Sequence, residues 1–123
     1  MKSYSDRLNN IIPGGCHTYS RGDDQFAHNA PQILAKGKGC YVWDADGNKF
    51  LDYGMGLRAV TAGYANDRID NAAFEGMKKG NNLTRASLVE LRAAEKMLEM
   101  VENIDMVKFA KNGSNVTTAA VKL

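Results

Sequence analysis

The stretch that decides the fold is residues 106–118, MVKFAKNGSNVTT. Its apolar start, residues 106–110, predicts a β-strand, and the small polar residues 111–114 predict a tight turn. Residues 115–123 then predict the opening of a helix, with no Gly, Asn or Pro to end it. A strand, a turn and a helix in this order are typical of an α/β protein.

This turn is also the best candidate for a binding site. A helix start leaves backbone N–H groups unpaired and carries partial positive charge, which suits a phosphate. Gly113 allows close approach to the backbone, while Ser114 and either Thr117 or Thr118 offer hydroxyl groups. An ordinary helix start, capped by Asn112 or Ser114, is the alternative explanation of the same residues. The spacing matches neither common glycine-rich phosphate motif.

Upstream of this stretch, the pattern predicts three helices and one β-hairpin. The helices cover residues 3–12, 66–79 and 87–102, and the last begins with the capping-box pattern SLVE. The hairpin joins residues 40–43 to residues 49–53 through the turn DADGN. Residues 16–35 are expected to be irregular, and a loop of this length is more often functional than idle.

Composition narrows the class of protein. The chain has 123 residues, 44% of them hydrophobic, and a formal net charge of +2. The balanced charge argues against nucleic-acid binding, and no apolar run approaches the ~20 residues of a membrane span. No signal peptide is apparent, so we expect a cytoplasmic protein. Cys16 and Cys40 lack metal-ligand spacing, so no metal site is expected.

A second candidate group lies in the irregular segment. Arg21 has two interpretations, a solvated surface residue or a bidentate clamp for a carboxylate. His17 and His28 have no acidic or Cys partner at ligand spacing, and either a base or a surface histidine fits. No nucleophile–base pair is readable from the sequence.

Four segments taken together resemble one family. They are residues 12–15 (IPGG), 37–48 (GKGCYVWDADGN), 51–53 (LDY) and 107–117 (VKFAKNGSNVT). In this order they resemble the N-terminal region of class III aminotransferases, which use pyridoxal 5′-phosphate (PLP), and most of all the aminomutase branch of that family. The resemblance implies the PLP-dependent transferase fold of type I. Residues 1–60 would supply an N-terminal segment and a small-domain hairpin, and residues 61–123 the start of the large domain.

The resemblance also implies roles for individual residues. Asn112, Gly113 and Ser114 match the turn that binds the PLP phosphate, which is the turn already selected on physical grounds. Arg21 matches an arginine that binds the substrate carboxylate, and Thr18 matches a neighbouring serine of the substrate pocket. Family members are homodimers with active sites at the subunit interface, so the irregular segment is expected to reach such a site.

The chain departs from the aminomutase pattern at three positions, of which the first two bear on the substrate. Leu57 stands where a tryptophan is expected near the substrate, Arg58 replaces a glycine, and Asn115 replaces a glutamate. The Schiff-base lysine of the family falls beyond residue 123, so no catalytic residue is assigned here. We therefore expect part of an enzyme for a small amino- and carboxylate-bearing molecule, inactive and poorly stable alone. The alternative is a non-catalytic α/β module that binds a phosphate-bearing ligand or a partner protein.

Overall fold

The computed structural model describes residues 2–123, and the chain forms two compact units, Met1–Lys78 and Lys79–Leu123. Each unit is described by itself. The domain boundary predicted between residues 60 and 61 stays a prediction.

The first unit begins with helix α1, Tyr4–Ile11. The Ser3 hydroxyl accepts a hydrogen bond from the Asp6 amide, and the Asp6 carboxylate accepts one from the Ser3 amide, both at 3.1 Å. This reciprocal pair uses two backbone donors that a helix start otherwise leaves unpaired. Three 3₁₀ turns follow at Pro13–Gly15, Tyr19–Arg21 and Asp23–Gln25.

A three-stranded antiparallel sheet forms the centre of the first unit. Its strands are β1 (Leu34–Lys38), β2 (Tyr41–Asp44) and β3 (Lys49–Leu51), in the order β1-β2-β3. The Asp44 carboxylate accepts hydrogen bonds from the backbone amides of Asp46 (3.0 Å) and Asn48 (2.8 Å). These bonds close the turn between β2 and β3, so the predicted hairpin is confirmed.

The irregular segment predicted at residues 16–35 is wrong in part. Two of the 3₁₀ turns lie inside it, and β1 begins at Leu34, so the hairpin has a third strand. The sequence of β1, LAKGK, does not predict a strand, because it lacks β-branched and aromatic residues. Pairing with β2 decides its conformation instead.

Helix α2, Asp67–Met77, ends the first unit, and the side-chain oxygen of Asn66 caps it by accepting from Arg68 N (3.2 Å) and Ile69 N (3.3 Å). The second unit contains α3, Leu88–Met100, with the predicted capping box at Ser87 and Glu90. Its last helix is α4, Gly113–Val121. The helices predicted from the sequence are therefore confirmed to within a few residues at their ends.

The strand predicted at residues 106–110 is wrong for the described part of the chain. These residues belong to no helix or strand, and the described chain places no strand beside them. A β-strand exists only through hydrogen bonds to a neighbouring strand, so the apolar run MVKFA has the pattern of a strand without its partner.

Very little apolar surface is buried. Val42, 6% exposed, is the only buried hydrophobic side chain among residues 2–123. Helix α3 carries an apolar stripe at helical spacing, Leu88, Leu91 and Leu98, and Leu88 and Leu91 are 60% and 55% exposed. A helix with such a stripe buries it against other elements in a stable domain. Within residues 2–123 no helix is long and apolar enough to cross a membrane.

Candidate functional site

The predicted phosphate-binding turn forms the start of helix α4. Asn112 is the N-cap, with extended backbone (φ −150°, ψ 167°), and its side-chain oxygen accepts a hydrogen bond of 3.0 Å from the Asn115 amide. The Val116 amide donates to the Asn112 carbonyl at 3.2 Å and begins the helical pattern. The sequence left two candidates for the N-cap of this helix, and the structure shows that Asn112 rather than Ser114 is the cap.

Two backbone N–H donors at the start of α4 are not used by the cap. Within residues 2–123 the backbone amides of Gly113 and Ser114 have no hydrogen-bond acceptor. A Cβ added at Gly113 would meet no heavy atom within 4 Å, so the space in front of the turn is open. Two adjacent free amides, the positive end of the helix dipole and the Ser114 hydroxyl together suit a phosphate. Asn112, Gly113 and Ser114 thus fit the group that the sequence predicts there.

Thr117 does not add a donor at this turn. Its hydroxyl lies 3.1 Å from the carbonyl oxygens of both Gly113 and Ser114, one turn back along the same helix. A threonine inside a helix commonly donates to these carbonyls. Its hydrogen is therefore directed at the backbone of α4.

Thr18 and Arg21 lie together in the first unit. The Arg21 amide donates to the Thr18 carbonyl at 2.8 Å, which closes the 3₁₀ turn Tyr19–Arg21. The next turn is tied to α1, because the Asp23 carboxylate accepts from the Ser5 hydroxyl at 2.7 Å and from the Asn9 amide at 3.0 Å. The Ser5 hydrogen bond is the main reason why the pKa of Asp23 lies below its ordinary value. The 3₁₀ turn that directly follows Arg21 is thus held against α1.

The guanidinium of Arg21 is open to an anionic ligand. The ion pairs among residues 2–123 are Lys38–Asp67, Lys78–Glu75 and Lys96–Glu99, so no described carboxylate neutralises Arg21. An exposed arginine with free donors can hold a carboxylate by two parallel hydrogen bonds. His17 and His28 are likewise exposed, and neither takes part in a hydrogen bond that would mark it as a base within the described residues.

Sequence reasoning missed a hydrogen-bonded group of the first unit that surrounds Asp52. The Asp52 carboxylate accepts three hydrogen bonds, from Gly54 N (2.8 Å), Gly56 N (3.1 Å) and the Tyr64 hydroxyl (2.6 Å). The bond with Tyr64 is the main reason why the pKa of Asp52 is lowered and that of Tyr64 is raised. Asp52 lies in the motif LDY, but nothing in the spacing of the sequence pairs it with Tyr64.

The backbone beside Asp52 is left-handed over a whole turn. In Met55–Arg58 the φ angles of the four consecutive residues are 47°, 58°, 59° and 69°. Only Gly56 takes such angles freely, and each of the others costs roughly 1–2 kcal/mol. Strain of this kind persists where the surroundings impose it, and it is concentrated at functional sites.

A cavity of about 280 Å³ lies against this turn. Its walls come from the residues around the Asp52 hydrogen bonds and from the chain that follows the turn. They are Gly39, Cys40, Asp52, Met55, Val60, Thr61, Ala62, Gly63 and Tyr64.

Comparison with known proteins assigns the family. A family model described as aminotransferase class III matches residues 23–123. The chain belongs to the class III aminotransferase family. The match includes the start of α4 and the Asp52 group, and the resemblance inferred from the sequence is confirmed.

Similar proteins with curated names support the assignment to this family. The chain is 32% identical over 113 residues to the glutamate-1-semialdehyde 2,1-aminomutase of Syntrophobacter fumaroxidans. The alignment covers 92% of this chain and 26% of that protein. It is 30% identical over 122 residues to the enzyme of the same name from Thermus thermophilus. That alignment covers 99% of this chain and 28% of the relative. The chain thus spans about a quarter of the length of these relatives.

Solved structures confirm the fold class. The PLP internal aldimine form of the Sphingopyxis sp. MTA144 FumI protein superposes with a TM-score of 0.87 at 29% identity, over 95% of this chain and 28% of that one. An omega-transaminase from Sphaerobacter thermophilus superposes with a TM-score of 0.84 at 25% identity. The superposition covers 97% of this chain and 26% of that one. The chain therefore has the α/β fold of the N-terminal region of PLP-dependent transaminases, and the alternative of a free-standing, non-catalytic module is not favoured.

Proposed function

We propose that this chain supplies the N-terminal part of a PLP-dependent class III aminotransferase or aminomutase. The observation that carries the proposal is the start of α4, where Gly113 and Ser114 present two free amides in open space. PLP, when bound, supplies the electron sink through which an amino group moves between carbons. The Schiff-base lysine falls to a part of the enzyme beyond residue 123.

In this proposal the second unit holds the cofactor phosphate. The amides of Gly113 and Ser114 and the Ser114 hydroxyl donate to the phosphate oxygens. Asn112 shapes the site by capping α4 through its side-chain oxygen, and its amide nitrogen faces no acceptor in the described chain. A dianionic phosphate gains from each charge-assisted bond and from the helix dipole.

The first unit binds the substrate. Arg21 holds the substrate carboxylate, and Thr18, joined to Arg21 through the 2.8 Å backbone hydrogen bond, lines the same pocket. The substrate is therefore a small molecule with an amino group and a carboxylate, similar to glutamate 1-semialdehyde, and the names of the curated relatives support this class. Leu57 and Arg58 replace a tryptophan and a glycine in the aminomutase pattern, so the parts of the substrate away from the carboxylate meet a different wall.

The arrangement of the intact enzyme completes the proposal. Residues 1–60 belong to an N-terminal segment and the small domain, and residues 61–123 open the large domain. The enzyme is a homodimer, and the segment around Arg21 reaches an active site at the subunit interface. The extensive exposed apolar surface supports this view, because surface of this kind is covered in a stable assembly.

The decisive experiment is a charge placed at the helix start. In the full-length enzyme Gly113→Asp puts a carboxylate where the phosphate binds, and we expect at least tenfold weaker PLP retention, measured by absorbance after gel filtration. Gly76→Asp in α2 is the matched control, because Gly76 also has open space around it and lies far along the sequence from the turn. Equal retention in the two variants would contradict the assignment.

A further inference from the structure

The left-handed turn Met55–Arg58 needs something to hold it. Three of its residues carry side chains, and an unconstrained chain would move them to negative φ. The turn is bonded internally by Arg58 N to Gly54 O (2.8 Å) and Val60 N to Met55 O (2.9 Å). These bonds exist only while the turn has this shape, so they do not by themselves select it.

Asp52 supplies an independent hold on the turn. One carboxylate oxygen accepts from the Gly54 amide, and the other accepts from both the Gly56 amide and the Tyr64 hydroxyl. The Asp52 amide donates to the Cys40 carbonyl at 2.9 Å, which fixes Asp52 to the end of the sheet. The carboxylate therefore reaches the turn from a rigid base.

Tyr64 is fixed from the opposite side. Its backbone forms a two-way bridge with Gly39, Gly39 N to Tyr64 O at 2.9 Å and Tyr64 N to Gly39 O at 2.8 Å. Its ring lies on Gly37 so closely that a Cβ at that position would be 2.6 Å from the ring carbon Cγ. At Gly56 a Cβ would lie 3.1 Å from the Tyr64 hydroxyl, so the same ring also packs against the turn.

We propose that Asp52 and Tyr64 are a positioning pair that holds Met55–Arg58 in its left-handed form and thereby sets the direction of Leu57 and Arg58 at the substrate site. The inference rests on the proposed function for its substrate readout. Leu57 and Arg58, the two positions that the proposed function places near the substrate, both lie in this turn.

The test removes one hydroxyl group. In the full-length enzyme Tyr64→Phe keeps the ring on Gly37 but takes away the bond to Asp52. We expect the KM for the carboxylate substrate to rise about fivefold or more with kcat within twofold, the pattern of lost ground-state binding. Hydrogen exchange of the Gly56 amide should become faster, because the turn opens more often. Tyr53→Phe is the matched control, since Tyr53 is 87% exposed.

A second substitution separates positioning from a general loss of packing. Glycine takes positive φ without strain, so Met55→Gly added to Tyr64→Phe should slow Gly56 exchange again and bring KM back toward the value of Met55→Gly alone. Unchanged exchange and KM in Tyr64→Phe, or no rescue by Met55→Gly, would overturn the inference. Failure of the wild-type enzyme to bind PLP would overturn the proposed function instead, and the exchange of Gly56 would still test the pair.

Discussion

The Asn112 side-chain oxygen lies 3.0 Å from the Asn115 amide and caps helix α4. This single bond decides which donors stay free at the helix start. Asn115 is used by the cap and Val116 by the helix, which leaves the amides of Gly113 and Ser114 for a ligand. The cap and the proposed phosphate site are thus adjacent but chemically separate.

The separation predicts different outcomes for two substitutions of Asn112. Asn112→Ala removes the cap and should lower the free energy of unfolding by about 1 kcal/mol. Asn112→Asp keeps a capping oxygen, so stability should be retained, but its negative charge should weaken PLP binding several-fold. Thermal unfolding of the apoenzyme and PLP titration of the full-length protein measure the two effects. Identical PLP affinity in Asn112→Asp and wild type would argue against a phosphate at this turn.

Arg21 is predicted to act on substrate binding alone. Arg21→Ala in the full-length enzyme should raise the KM for carboxylate substrates by about tenfold or more, since a charge-assisted bond contributes roughly 1.5–3 kcal/mol. PLP retention should not change. Arg68→Ala, at an exposed arginine in the first turn of α2, is the matched control. Steady-state kinetics that are the same for both variants would remove the role assigned to Arg21.

Acid should weaken the hold of Asp52 on its turn. The pKa of Asp52 is lower in the folded protein than its ordinary value, mainly through the bond from Tyr64, so folding favours the ionised form. Its contribution is therefore complete above about pH 4, the ordinary range of a free aspartate, and disappears as the pH falls through the lowered pKa. We expect Asp52→Asn to lower the Tm at pH 6, and the difference from wild type to shrink as the pH falls below about 4. A Tm difference that is independent of pH would contradict this origin.

The 123 residues in isolation are predicted to form no cooperative domain. Val42 is the one buried apolar side chain in the described chain, while the stripe of α3 and the run at residues 106–110 lie open. We expect a broad thermal transition, strong binding of a hydrophobic dye and aggregation at micromolar concentration. The full-length enzyme serves as the comparison. A sharp melt of a soluble monomer of 123 residues would show that the chain is a domain by itself.

Local chemistry makes several features readable from the sequence alone. Ser3 with Asp6, Ser87 with Glu90, and Asn66 signal helix starts because their side chains bond to amides two or three residues away. The hairpin turn is readable for the same reason, since Asp44 bonds to amides within four residues of itself. The phosphate-type turn also depends on contiguous residues, and so it is visible before any fold is known.

Other features depend on residues far apart in the chain, and only the tertiary structure decides them. Strand β1 exists because it pairs with β2, and residues 106–110 are not a strand because no strand within residues 2–123 lies beside them. Asp52 and Tyr64 meet across a backbone bridge to Gly39, and their bond accompanies a left-handed turn that no propensity favours. Hydrogen bonds between residues a few positions apart can be predicted from the spacing of residue types. Strand pairing and backbone strain depend on contacts between distant residues, which form only in the folded chain.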